Sequence, residues 1–65
     1  MSMNASMFIK VDALDKNGNV LVKYINKNQI LTIRQEEQNI VIEMSDYTEI
    51  RLPNQNIHIF MDRFK

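Results

Sequence analysis

The chain of 65 residues has no cysteine and no tryptophan, and only one glycine, one proline and one histidine. Each shortage closes off a class of chemistry. Without cysteine there can be no disulfide and no cysteine-based zinc site. A single glycine excludes a glycine-rich phosphate loop. His58 is the one imidazole available as a base or ligand, and Ser2, Ser6 and Ser45 lie in no nucleophile signature. Asp12, Asp15 and Asp46 fall near turns. Aspartates there usually accept hydrogen bonds from backbone N–H groups, which is favoured here over metal binding. The expectation is a chain that is not an enzyme, with no catalytic residue, no cofactor and no metal.

Charge of one sign is also missing. Eight basic residues balance eight acidic ones, for a formal net charge of zero. That disfavours a sequence-independent grip on nucleic acid, which needs a clustered positive surface. It also lowers self-repulsion between copies. No apolar run approaches the ~20 residues of a membrane span. The first residues lack the basic and apolar segments of a signal peptide, so the cytoplasm is the expected compartment. Residues 1–6 are polar and expected to fray, leaving 7–65 as a single small domain.

A domain of this size buries only about 60% of its unfolded surface. Such a core rarely supplies more than ~3–5 kcal/mol without a staple. With disulfides and cysteine-bound metals excluded, oligomerisation is the remaining staple.

What is present reads as β structure. In Phe8-Ile9-Lys10-Val11-Asp12-Ala13-Leu14, the residues Ile9, Val11 and Ala13 alternate with Phe8, Lys10 and Asp12, a period of two. Asn17-Gly18 suits a tight hairpin with positive φ at both central positions. Val20 to Ile25 is rich in β-branched and aromatic residues, as strands are. Asn26-Lys27-Asn28 predicts a turn, and Gln29–Arg34 a third strand. Gln35–Asn39 reads as a charged loop. Its adjacent Glu36 and Glu37 are better explained by solvation than as paired carboxylates, because neighbours in a strand point apart. The fourth strand turns Ile40, Ile42 and Met44 inward against Val41 and Glu43. After Ser45-Asp46-Tyr47, the fifth turns Ile50 and Leu52 inward and Glu49 and Arg51 outward. Pro53 ends it.

The tail changes period. Ile57, Phe60, Met61 and Phe64 fall on one helical face, with Asn54 or Asn56 as cap and Arg63 and Lys65 at the C-terminal end. A strand reading of Ile57–Phe60 stays open. The predicted fold is mainly β: a five-stranded antiparallel meander, or a small barrel-like sheet, with one short C-terminal helix.

The order of these features resembles the small flagellar and swarming-motility proteins of the FlbD type, across residues 7–64. The features are the strand Phe8-Ile9-Lys10-Val11, the Asn17-Gly18 turn, the stretch Asn28-Gln29-Ile30-Leu31-Thr32-Ile33, the strand pair Ile40–Met44 and Thr48–Leu52, and a closing helix. In that family the second hairpin usually carries a glycine, where this chain has Asp46-Tyr47. The resemblance implies a non-enzymatic, interaction-dependent role in bacteria, and phage proteins share the pattern.

The candidate interface residues are Val22, Tyr24, Val41, Tyr47, His58 and Ile59. Val22, Val41 and Ile59 fall opposite the inward sets, and the apolar run Val20-Leu21-Val22 looks like a strand covered on both faces. Tyr24 and Tyr47 could stack on bases, but without a basic patch beside them packing or a protein interface explains them better. His58 reads first as a partly exposed histidine and second as a partner contact. Together these residues predict a homo-oligomer, most simply a dimer, that binds an unspecified protein partner. A small nucleic-acid-binding or regulatory β protein is the alternative. Nucleic-acid binding would require Lys10, Lys23, Lys27 and Arg34 to gather on one face.

Overall fold

A computed structural model describes residues 7–64, so the expected N-terminal tail and Lys65 lie outside the described residues. The elements are β1 (Phe8–Leu14), β2 (Val20–Asn26), β3 (Ile30–Glu36), β4 (Asn39–Met44), β5 (Glu49–Leu52) and α1 (Ile57–Met61). A 3-10 turn spans Lys27–Gln29, and another, Asp62–Phe64, continues α1. All strand pairings are antiparallel. The mainly β class with a short terminal helix is therefore as predicted.

The single meander is not. The strands form a two-stranded sheet, β1-β2, and a three-stranded sheet, β3-β4-β5. β2 and β3 do not pair, so no barrel closes. The break has a local cause. The Asn26 side chain accepts from the Asn28 N–H at 2.9 Å and starts a 3-10 turn where a hairpin turn would be needed. Gln29 is then held by the β4–β5 turn: its carbonyl accepts from the Ser45 N–H at 2.7 Å, and its Oε1 from the Ser45 hydroxyl at 2.6 Å. Both bonds lead β3 away from β2.

The first hairpin closes with a three-residue loop, Lys16-Asn17-Gly18. The Asp15 N–H donates to the Asn19 carbonyl at 2.8 Å, and the Gly18 N–H to the Asp15 carbonyl at 3.0 Å. Within this loop only Gly18 adopts positive φ, at 84°, so the predicted pair of left-handed residues is one. This is a type I turn followed by a left-handed bulge residue. Asp15 braces it, accepting from the N–H groups of Asn17 and Asn19. The predicted loop at Gln35–Asn39 is shorter than expected, because β3 runs to Glu36 and only Glu37-Gln38 turn the chain.

The core lies between the sheets. Ile9, Val11, Ala13 and Ile25 of the hairpin pack with Ile40, Ile42, Ile50 and Leu52, and Phe60 joins them. Apart from Ile25 and Phe60, these belong to the inward sets that the period of two identified, while Met44, also expected inward, is only partly buried. β1 runs alongside β5 without hydrogen bonds between them.

Helix α1 is capped by Asn56, whose side chain accepts from the His58 and Ile59 N–H groups. Gln35 docks it: Oε1 accepts from the Ile57 N–H at 2.8 Å, while Nε2 donates toward the carbonyls of Glu37, Asn39 and Gln55. The helix tightens to 3-10 after Met61. Phe60 is buried, Ile57 and Phe64 are half-buried, and Met61 is exposed. Phe60 and Phe64 meet edge to face at 5.4 Å. Arg63 lies over the Phe60 ring and donates to the Lys10 carbonyl, tying the tail to β1.

Phe60→Ala should cost ~3–5 kcal/mol, the usual range for a buried phenylalanine. Phe64→Ala should cost roughly half as much, since its ring is only partly removed from water. Chemical denaturation of both variants checks this order, and equal losses would contradict the packing described.

Candidate functional site

The hairpin has two unlike faces. Its inner face carries Ile9, Val11 and Ala13 into the core. The outer face pairs Lys10 with Tyr24, Asp12 with Val22 and Leu14 with Val20, and places Phe8 opposite Asn26. No element of the described chain covers it: Val20 is 58% exposed, Val22 54% and Tyr24 67%. In β2 only Ile25 is buried. Val20-Leu21-Val22, expected to be covered on both faces, is in the single chain covered on neither.

The edge of β2 is open as well. Among the described residues β1 is its only strand partner. The Asp15–Asn19 bond sets the alternation of hydrogen-bonded and non-bonded pairs along the ladder. Ala13–Leu21, Val11–Lys23 and Ile9–Ile25 are the bonded pairs. Val20, Val22 and Tyr24 therefore aim their N–H and C=O groups away from β1. A groove of about 490 Å³ adjoins this edge, lined by residues that include Phe8, Tyr24, Asn26, Met44, Asp46 and Thr48.

Val41 has to be removed from the predicted interface. It points away from the main core, as its alternation required, yet it is 0% exposed. The register places Arg34 and Arg51 on either side of it. These two arginines and two glutamates form a closed ring. Arg34 bonds to Glu36 at 2.8 Å and Glu49 at 3.1 Å, and Arg51 reaches Glu36 at 3.1 Å and Glu49 at 3.6 Å. Arginine stems cover apolar surface while their charged heads stay in water. Val41 is thus buried by its own sheet and leaves no apolar patch for a partner. Beside the ring, the Thr32 hydroxyl donates to Glu43 at 3.2 Å.

The remaining predicted residues do not form one site. Tyr47 sits in the β4–β5 turn, 77% exposed. Its φ is 68°, a left-handed conformation that costs a non-glycine residue about 1–2 kcal/mol. It occupies the turn where the FlbD pattern carries glycine. Asp46 steadies that turn by accepting from the Thr48 hydroxyl at 2.6 Å and its N–H at 3.1 Å. His58 and Ile59 are exposed on α1, and His58 lies beside the Glu37-Gln38 turn at the opposite end of β4 from Tyr47. Only Val22 and Tyr24 share a surface. Their neighbours Phe8 and Val20 belong to it too, and the alternation in the sequence could have named them.

The basic residues do not gather. Lys10 and Lys23 lie on opposite faces of the hairpin, Lys27 sits 5.7 Å over the Phe64 ring, and Arg34 is engaged in the ion-pair ring. Among the described residues no three His, Asp or Glu side chains come together as metal ligands. No described helix is long and apolar enough to cross a membrane. No protein-family model, curated protein or solved structure matches the chain. The FlbD resemblance rests on its strand and turn patterns alone.

The ring makes stability sensitive to acid. The hydrogen bond from Arg34, then that from Arg51, holds the Glu36 carboxyl below the ordinary carboxylate range. The Thr48 hydroxyl and N–H do the same for Asp46. A carboxylate whose folded pKa is depressed contributes fully above its unfolded value and loses that contribution as pH falls toward the folded one. Melting temperature should therefore be flat near neutrality and drop below about pH 4. Glu36→Gln should make that drop shallower. An unchanged acid profile in Glu36→Gln would show that the ring adds nothing. Both groups are exposed, so the effect should be small and should shrink in high salt.

Proposed function

We propose that this chain is a non-enzymatic protein-interaction module that self-associates through the outer side of the β1–β2 hairpin and acts by occupying a surface on a larger partner. The observation that carries the reading is the exposure of β2. It contains the most exposed run of apolar residues in the described chain, yet Val20, Val22 and Tyr24 remain in water. Single apolar residues on a surface are ordinary, whereas a contiguous apolar strand face marks an interaction site.

Two further observations support it. The opposite side of the molecule meets the same problem at Val41 and solves it internally with the Arg–Glu ring. β2 has no comparable cover. The scatter of Lys10, Lys23, Lys27 and Arg34 also withholds support from the nucleic-acid alternative. A bacterial or phage setting is what the FlbD resemblance implies for the larger partner.

Light scattering coupled to size exclusion tests the self-association. At concentrations on the order of 100 μM, where a micromolar interface is nearly saturated, the expected mass is that of a dimer. A folded monomer at that concentration would contradict the reading.

A further inference from the structure

We infer that the second copy adds to the open edge of β2 as an antiparallel strand, with Val22 opposite its own counterpart across a twofold axis. The inference rests on the self-association just proposed and specifies its geometry.

Three properties of β2 point to this pairing. The first is the direction of its free backbone groups. Val20, Val22 and Tyr24 present unpaired donors and acceptors along one line, as an edge strand does before another strand joins it. The second is register. An axis at Val22 sets Val20 opposite Tyr24 of the second copy and Tyr24 opposite its Val20. All three outward residues then exchange backbone bonds, and each outer-face pair is β-branched against aromatic or β-branched against β-branched. Such cross-strand pairs each add roughly 0.2–1 kcal/mol.

The neighbouring registers are worse. An axis at Lys23 sets two lysines directly opposite each other, which is destabilising. An axis at Leu21 sets Tyr24 against Gly18 of the second copy, inside its hairpin loop. The third property is the charge of the strand. Lys23 is its one charged residue, and the Val22 register places it against Leu21 of the second copy, where its aliphatic stem can lie.

The groove is where the second copy's turn arrives. With Val20 of that copy opposite Tyr24, its Asn19 and Gly18 continue past Ile25 toward Asn26. That is the stretch bordered by Met44, Asp46 and Thr48. The product is a continuous four-stranded sheet whose outer face joins the apolar residues of both hairpins.

The absence of native cysteine makes the geometry directly testable. Val22→Cys and Val20→Cys are each oxidised with copper phenanthroline, which accepts the electrons as two thiols join. In the inferred register the Val22 positions have Cα atoms ~5.5 Å apart, within disulfide range. The Val20 positions are offset by four residues, ~14 Å along the strand, and cannot be bridged without backbone movement. The expected result is cross-linked dimer for Val22→Cys, with Val20→Cys at least about tenfold slower.

In parallel, Val22→Pro removes an N–H that faces the open edge and takes no part in the bonds to β1. It should yield a monomer with an unchanged β-type circular dichroism spectrum. If the proline variant fails to fold, Val22→Lys supplies the same test of mass. A wild-type dimer in which Val22→Cys does not cross-link, or Val20→Cys cross-links equally fast, overturns the register while leaving self-association standing. A monomeric wild type overturns both.

Discussion

The fold depends on keeping β4 dry on both faces. Ile40, Val41 and Ile42 are successive residues of the central strand of its sheet, and all are fully buried. Successive side chains of a strand point to opposite sides, so two separate covers are required. The first is the β1–β2 hairpin with Phe60, which closes over Ile40 and Ile42. The second is the Arg34–Glu36–Arg51–Glu49 ring around Val41. Exposed ion pairs individually add at most about 1 kcal/mol, so the ring matters more for where its arginine stems lie than for its Coulomb energy. It allows a thin sheet to expose a polar face over an apolar centre.

Providing the first cover leaves the hairpin itself uncovered. β1 commits Ile9, Val11 and Ala13 to the core and lies against β5, where Arg63 engages the Lys10 carbonyl. β2 commits only Ile25. It is the outermost strand of its sheet, and the 3-10 turn that follows separates it from β3. One small chain thus buries a central strand twice and leaves an apolar strand on the outside. Attachment of a second strand to that edge would satisfy its backbone groups and set each outward side chain beside one of the second copy.

Alternation along single strands was legible from the sequence, because it needs no knowledge of neighbours. Ile9, Val11 and Ala13, then Ile40 and Ile42, then Ile50 and Leu52 all turn inward as their period required. Properties that depend on adjacency were not legible. Val41 was expected to be open because it opposes the inward set. Its burial follows only once β3 and β5 are known to flank β4 in a register that sets Arg34 and Arg51 beside it. The division into two sheets turned on the Asn26 side chain and the anchoring of Gln29, both too local and too dependent on tertiary contacts to read from composition. Met61 was misplaced because a helical period groups residues on one stripe but does not show how wide a strip the core covers: in α1 only Phe60 is buried. Of the candidate surface, Val22 and Tyr24 were legible. The groove beside them was not, since it joins β2 to the distant β4–β5 turn.

Amide hydrogen exchange at Val22 tests the idea that β2 is completed from outside. In one chain its N–H points away from β1, while that of Lys23 bonds to Val11. Exchange followed residue by residue by NMR at high and low protein concentration therefore carries its own internal reference. The expected result is protection at Val20, Val22 and Tyr24 approaching that at Lys23, and lost on dilution while Lys23 stays protected. Fast exchange at Val22 at every concentration, beside a protected Lys23, would contradict it.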